Sequence, residues 1–552
     1  MAATQNIFGE YTDAVASGGF NLSIAPYAIQ LILLMASSIL AAYFLSGVIA
    51  KLVWPDHGSK LLGVVDAAPR FLLGSAYTES MDWRKYLISL ILLNATVFAL
   101  DVALLALQPA LGGQRLSPDL IFNIASSFVT NTDLQHYEGR MLTVYSQMLV
   151  ITYTMFVAPA SGLAASLAFM RGLTRRTDSL GNFYADFARS VILVLLPISF
   201  ASAVLLILMG VPQTLQPQAV IRTLQGPSVL RLGPVASLES IKLLGNNGGG
   251  YYSANSASPL ENPSELSNLY ESFLMLLLPL SIPLAFGRVA GMRRGASILG
   301  AMLAGMGILM GMSLLGGAAS VGVEPRLGDF GTLVFNTVSM ATDTGATASS
   351  LFAMSPLAVS SFLMAMFIQA VPGAVGVGFM YMMVFVIITL FILGLMVGKT
   401  PEIMGMKISP RDVKLSTAAF LVHPLVILVP LVLAFALGQA QHLLGAPDPL
   451  HFTEVLYEFT SAAANNGSDY LGAAANTPFW NYLTGAVMLV GRYVPLALMM
   501  ALAGSFAAKD RRRVPEPVET QGVLFAVLLL AMTLLLTVLT FFPFIVLGPF
   551  SM

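Results

Sequence analysis

The chain has 552 residues, 56% of them hydrophobic and only 10% charged, whereas a soluble domain carries roughly 25% charged residues. Most of its surface is therefore not built for water. The absence of cysteine excludes disulfides, thiolate metal sites and cysteine nucleophiles, and the five histidines form no spaced metal-ligating pair. The net charge of −1 says nothing about partners by itself, and no nucleic-acid signature accompanies it.

The first 27 residues hold no Lys or Arg. A cleavable secretory leader needs a positive start, so none is expected. A membrane-crossing helix needs about 20 apolar residues. About ten such runs occur, starting near Tyr27, Tyr86, Leu142, Val191, Leu269, Ser297, Leu363, Ala418, Tyr482 and Val523. Helices are expected throughout, because lipid offers the backbone no hydrogen-bond partners. Alternate loops between the runs collect twenty basic residues on one side, from Lys51 to Arg513, against six on the other. Basic loops stay in the cytoplasm, which predicts both termini outside.

Four of the outer loops share one form: an amphipathic helical stretch, a polar Thr/Asn/Gly tract, then the next span. The stretches are Ser117 to Thr130, Pro234 to Leu244, Asp329 to Met340 and His451 to Ser461. The tracts are Thr130-Asn131-Thr132-Asp133-Leu134-Gln135, Gly245-Asn246-Asn247-Gly248-Gly249-Gly250, Thr342-Asp343-Thr344-Gly345-Ala346-Thr347 and Ala464-Asn465-Asn466-Gly467-Ser468. Internal repeats of this kind set the architecture. The reading is an all-α membrane protein of about ten transmembrane helices. Four pseudo-symmetric helix–pore loop–helix repeats (86–176, 177–294, 295–414, 415–513) lie between an N-terminal segment (1–85) and a C-terminal helix (514–552). Non-helical backbone at membrane depth is tolerated only inside protein or around a cavity, and backbone carbonyls there can replace a cation's hydration shell. Four in-register polar loops therefore point to a pathway for a dehydrated cation. The glycine tract after Gly245 lacks the Lys-Ser/Thr of a phosphate loop, and the chain shows no paired catalytic residues.

The stretches Gly233 to Lys242, Asn247 to Ser256 and Glu261-Asn262-Pro263 closely resemble the KdpA family, the channel-like potassium-binding subunits of the Kdp potassium pump. Gly181-Asn182-Phe183, Gly394 to Glu402, Ala462 to Ser468 and Gly491-Arg492 agree, and the resemblance covers nearly the whole chain. It implies a filter of Asn131, Thr132, Asn246, Asn247, Gly248, Thr344, Gly345, Asn466 and Gly467, with Gln135 influencing affinity. It further implies that potassium is the substrate, that no organic cofactor is needed, and that the chain hydrolyses no ATP itself. The implied partners are a P-type ATPase catalytic subunit that receives the ion through a lateral tunnel, a small single-span subunit and a very short membrane subunit, with lipid around them. The sequence departs from the family at Asp133 and Leu134 (usually Asn and Trp), at Thr344 (usually Cys), over Phe156 to Gly162 and at Gln369 (usually Glu). Two rival functions share this fold: a stand-alone potassium or sodium transporter driven by the ion gradient, and a scaffold that has lost transport.

Several single residues carry two readings each. Arg492, about ten residues into its span, is an electrostatic barrier below the filter or a tie between helix ends; either places it in the protein interior. Pro372, Gly373, Gly376 and Gly378 interrupt the seventh run as an unwound gate under the filter or as packing devices. Asp133 raises the local cation concentration by its field, or is a solvated loop acid. The Lys509 to Arg513 cluster signals orientation, or contacts anionic lipid or a partner.

Overall fold

The computed structural model describes residues 25–56, 58–174, 179–224, 226–318, 323–510 and 519–552. Arg175, Arg176 and Arg511 to Arg513, counted above among the basic loops, and His57 lie outside these residues. Among the described residues ten helices are long and apolar enough to cross a membrane: Pro26–Val53, Trp83–Ala106, Val144–Thr174, Phe183–Leu208, Glu265–Ala290, Met292–Gly316, Val377–Val397, Pro410–Ala436, Pro478–Ala507 and Val523–Ser551. They are called spans 1 to 10. Between spans 2 and 3, 4 and 5, 6 and 7, and 8 and 9 lie four shorter helices, Pro118–Val129, Val235–Leu244, Gly328–Ala341 and Pro449–Ala464. These are pore helices 1 to 4, each followed by a polar pore loop. The order span, pore helix, loop, span thus recurs four times, flanked by spans 1 and 10.

The two spans of each unit have different duties. Spans 3, 5, 7 and 9 have 72, 78, 67 and 61% of their most apolar window buried, against 28, 28, 50 and 39% for spans 2, 4, 6 and 8. The second span of each unit therefore walls the centre and the first faces outward. All four pore helices are largely buried between them.

Several spans begin away from their apolar runs, because polar residues continue the helix. Span 4 starts at Phe183 rather than Val191, with the Asn182 side chain accepting from the Ala185 amide at 3.1 Å. Its first turns carry Asp186, which binds Arg171 of span 3 at 2.5 and 2.7 Å. Arg171 also donates to the carbonyls of Leu52 and Val53 at 2.8 and 2.6 Å. Arg189 pairs with Asp66 at 2.6 Å. These two arginines are buried anchors, Arg171 between spans 1, 3 and 4 and Arg189 between span 4 and the helix Lys60–Leu73, not free loop charges. Span 8 starts at Pro410 rather than Ala418, capped by Ser409.

The seventh run divides. Leu363 falls in a short helix, Pro356–Ile368, that ends at Gln369 (φ 55°), and span 7 resumes at Val377. Two antiparallel ladders, Gln218–Thr223 with Gly226–Arg231 and Glu402–Ile403 with Met406–Lys407, add strand to the expected all-α fold. The first is mostly exposed on both faces, so no buried alternation marks it in the sequence.

Candidate functional site: four converging pore loops

All four pore helices end in the same way. Asn131, Asn246, Asp343 and Asn465 adopt left-handed backbone, with φ of 64, 50, 47 and 56°. Asn and Asp are the non-glycine residues that tolerate this region best. The next amide in each loop donates five residues back: Thr132 to Ser127 O at 2.9 Å, Asn247 to Lys242 O at 2.8 Å, Thr344 to Ser339 O at 2.8 Å and Asn466 to Ser461 O at 2.9 Å. One hydrogen-bond pattern in four separate stretches puts their backbones in register.

The loops meet at their carbonyls. A Cβ built on Gly248 would lie 2.9 Å from Asn466 O, 2.9 Å from Thr344 O and 3.0 Å from Thr132 O. One point beside loop 2 is thus ringed by carbonyl oxygens from the other three loops, and the carbonyl is the backbone group that solvates a bare cation. The C-terminal ends of the pore helices lead directly into these loops, and each helix end adds partial negative charge of about half an electron. Gly345 shows why the position is glycine: its φ is 75°, and a Cβ there would sit 2.0 Å from Asn466 O.

Side-chain amides brace the loops laterally. Asn131 donates to Asn246 O at 2.5 Å, Asn246 to Thr344 Oγ1 at 2.9 Å, and Asn465 to Thr132 Oγ1 at 2.9 Å. Asn246 and Asn465 also reach back to Met275 O and Met488 O in spans 5 and 9, at 2.9 and 3.1 Å. In loop 3 the equivalent residue is Asp343, which has no N–H to donate. Gln135 ties loop 1 to loop 2 by accepting from the Gly250 amide at 2.9 Å and donating to Gly250 O at 3.0 Å. Behind loop 2, the buried Lys242 ammonium donates to Glu239 at 2.6 Å and Ser256 at 3.1 Å. Burial and the nearby Glu239 carboxylate push Glu261 in the same cluster up to about 8.

The remaining sequence-selected residues lie around this centre. Asp133 is 0% exposed, which excludes a solvated loop acid, and neither of its carboxylate oxygens has a hydrogen-bond partner. Arg492 is buried in span 9, 3.4 Å from Ala158 O. With Asp343, Gln369, Asn465 and Gly378 it lines a cavity of about 10 Å³, room for about one water-sized sphere. The break 369–376 lies against pore helix 3, whose Ala341 O accepts from the Gly373 amide at 2.8 Å. Gly376 (φ 79°) packs so closely on span 3 that a Cβ would lie 2.2 Å from Gly162 O. The unwound backbone is thus enclosed by protein, as lipid requires.

The structure adds Asp343 and Asn465, the equivalents of Asn131 and Asn246. The signal was present: Thr130-Asn131-Thr132 and Thr342-Asp343-Thr344 share both threonines around an Asn or Asp, and in both the two threonine hydroxyls lie 2.7 Å apart. It also gives a place to His136, which no spacing rule selects.

Comparison with known proteins agrees with this geometry. Residues 31–551 match the family model described as KdpA, potassium-transporting ATPase A subunit. A potassium-transporting ATPase potassium-binding subunit of Alicyclobacillus acidocaldarius is 41% identical, over 95% of this chain and 98% of the relative. One from Thermoplasma acidophilum is 36% identical, over 96% and 94%. Among solved structures, the potassium transporter TrkH from Vibrio parahaemolyticus aligns with a TM-score of 0.54 at 16% identity, covering 87% of this chain and 99% of TrkH. At that identity it speaks for the fold alone. Four in-register pore loops on ten spans, and a family match running over nearly the whole length, make this chain a member of the KdpA family of potassium-transporting ATPase A subunits.

Proposed function

We propose that the four loops form a potassium selectivity filter. The chain takes potassium from outside the cytoplasmic membrane and passes it to a P-type ATPase catalytic subunit that supplies the energy. The reading rests on the point beside Gly248 where carbonyls of Thr132, Thr344 and Asn466 converge within 3.0 Å. Asn131, Asn246, Asn247, Gly345 and Gly467 complete and brace that ring, and Gln135 sets its outer rim. Arg492, the break at Gly373 and Gly376, and Gly378 in the first turn of span 7 stand below it as barrier and gate. The cavity between them takes an ion after the filter, and the positive guanidinium opposes onward leakage. A single-span subunit, a very short subunit and surrounding lipid complete the assembly.

The test is potassium-stimulated ATP hydrolysis by the co-expressed complex, with rubidium and sodium for comparison. Potassium should stimulate at lower concentration than sodium. Gly345→Ser and Gly248→Asp should each raise the half-saturating potassium concentration at least tenfold, which is about 1.4 kcal/mol. Unchanged affinity in both variants would sink the filter assignment. Potassium uptake by this chain without any ATPase subunit would instead favour a gradient-driven transporter of the same fold.

A further inference from the structure

His136 follows Gln135 directly, yet it faces the opposite seam. Its ring is 0% exposed. Nε2 lies 2.8 Å from Glu458 Oε1 on pore helix 4, and Nδ1 lies 3.0 Å from Asn481 Oδ1 on span 9. Consecutive residues of loop 1 thus hold its two neighbours: Gln135 grips loop 2 at Gly250, and His136 grips the helix that carries loop 4.

The protonation state of this joint follows from its partners. The Asn481 amide is oriented by its own donors, since Nδ2 gives hydrogen bonds to Asp119 Oδ2 at 2.7 Å and Asn476 Oδ1 at 2.9 Å. Its oxygen is therefore the atom that meets His136, and it can only accept. Nδ1 must then carry a hydrogen, which leaves Nε2 facing a carboxylate. A hydrogen bond there needs one further proton, shared by His136 and Glu458. Without it, the Nε2 lone pair faces a buried carboxylate whose second oxygen, Oε2, already lacks a partner, and the contact becomes repulsive. The other titratable groups facing the ring are Asp469, two residues beyond Gly467, which burial and the Glu458 carboxylate push up to about 8, and Asp119 through Asn481. Burial works against the imidazolium, but Glu458 outweighs it with Asn481 and Asp469, and the net shift is upward from the ordinary histidine value. A group raised on folding stabilises the folded arrangement fully below its unfolded value. That contribution is lost as pH rises through the folded value. The clamp therefore holds below the ordinary histidine value and loosens as pH rises through the raised one.

We propose that His136 is a positioning residue for potassium binding: through a protonated bridge to Glu458 it holds loop 1 against pore helix 4, so that potassium affinity falls when the side bearing the pore loops becomes alkaline. The inference rests on the reading of the four loops as the potassium site. It names a residue outside the filter, and a linkage that filter geometry alone does not require.

Equilibrium potassium binding to the purified full-length chain, measured from pH 6 to pH 9.5, tests it. The half-saturating potassium concentration should stay level at the acid end and rise at least threefold across the alkaline end. His136→Gln removes the titrating ring and should flatten that rise. Glu458→Gln keeps an oxygen for Nε2–H but removes the charge that holds the proton, so the transition should move to lower pH by about one unit or more. This variant keeps the test open where His136→Gln fails to fold. Wild-type affinity independent of pH, or an unchanged transition in Glu458→Gln, would overturn the proposal. Absence of any potassium binding at every pH would overturn the filter reading instead.

Discussion

Asp133 occupies in loop 1 the position that glycine holds in the other three, and its φ of 59° is the strained value that a glycine would relieve. Its carboxylate is enclosed, with the Gly248 amide beside it and no side-chain donor within hydrogen-bond reach. Burial pushes that carboxyl well above the ordinary carboxylate value, and in the filter proposed above a cation would offset that cost. Asp133→Asn removes the ionisable carboxyl and leaves the shape. It should raise the melting temperature of the potassium-free protein, by the equivalent of about 1–3 kcal/mol for a buried group relieved of its desolvation penalty. The same variant should weaken potassium binding severalfold. A variant neither more stable without potassium nor weaker in binding would remove Asp133 from the site. The Asp was visible in the sequence, but its solvation was not: a polar tract beside a span reads equally well as an external turn. Only the close approach of loops 2 and 4, whose Gly249 and Gly467 pack against the Asp133 backbone, closes water out.

At the scale of elements, the joints between spans are carried by a few buried charges. Arg171 near the end of span 3 binds Asp186 of span 4 and the last carbonyls of span 1, and Tyr86 of span 2 donates to the same Asp186 at 2.9 Å. Four spans therefore share one ion pair. Arg171→Ala would leave a buried carboxylate without its cation, a change worth roughly 3–5 kcal/mol. A large drop in melting temperature in detergent is expected. Potassium affinity in the surviving folded fraction should hardly move, because Arg171 lies at the far end of a 31-residue span from pore loop 1. A drop in affinity as large as the loss of stability would show that the anchor reaches the filter. In the sequence Arg171 and Arg189 count as loop charges, since hydropathy sees only that the apolar run has ended. Their partners, Asp186 and Asp66, are 15 and 123 residues away along the chain, and no local pattern connects them. The break in span 7 was legible, because four Gly and Pro residues in seven leave a helix little support. That the break sits under pore helix 3, hydrogen-bonded to Ala341 O, was not.

For the whole molecule, the filter proposed above would make the ion a cross-link between all four repeats. Potassium should therefore stabilise the entire fold, by about 2.7 kcal/mol at a hundred times its dissociation constant. Thermal unfolding in potassium and in sodium at equal ionic strength would show it, and identical midpoints in the two salts would count against a selective four-loop site. The sequence by itself determined the class of the protein. The apolar runs are long enough to oblige ten membrane helices. The four polar tracts repeat closely enough to be read as equivalent, and the glycines and asparagines mark where the backbone turns. The motifs around Asn247 and Asn466 pointed to the family. Those are local properties of composition and spacing, and lipid enforces them without help from distant contacts. The tertiary structure decided what the tracts do together: that carbonyls of residues 132, 344 and 466 meet at Gly248, that Asn131, Asn246 and Asn465 lock neighbouring loops, and that His136 finds Glu458 across 322 residues. A ring closed by four separate segments depends on how the helices pack side by side, and no single stretch of sequence carries that information.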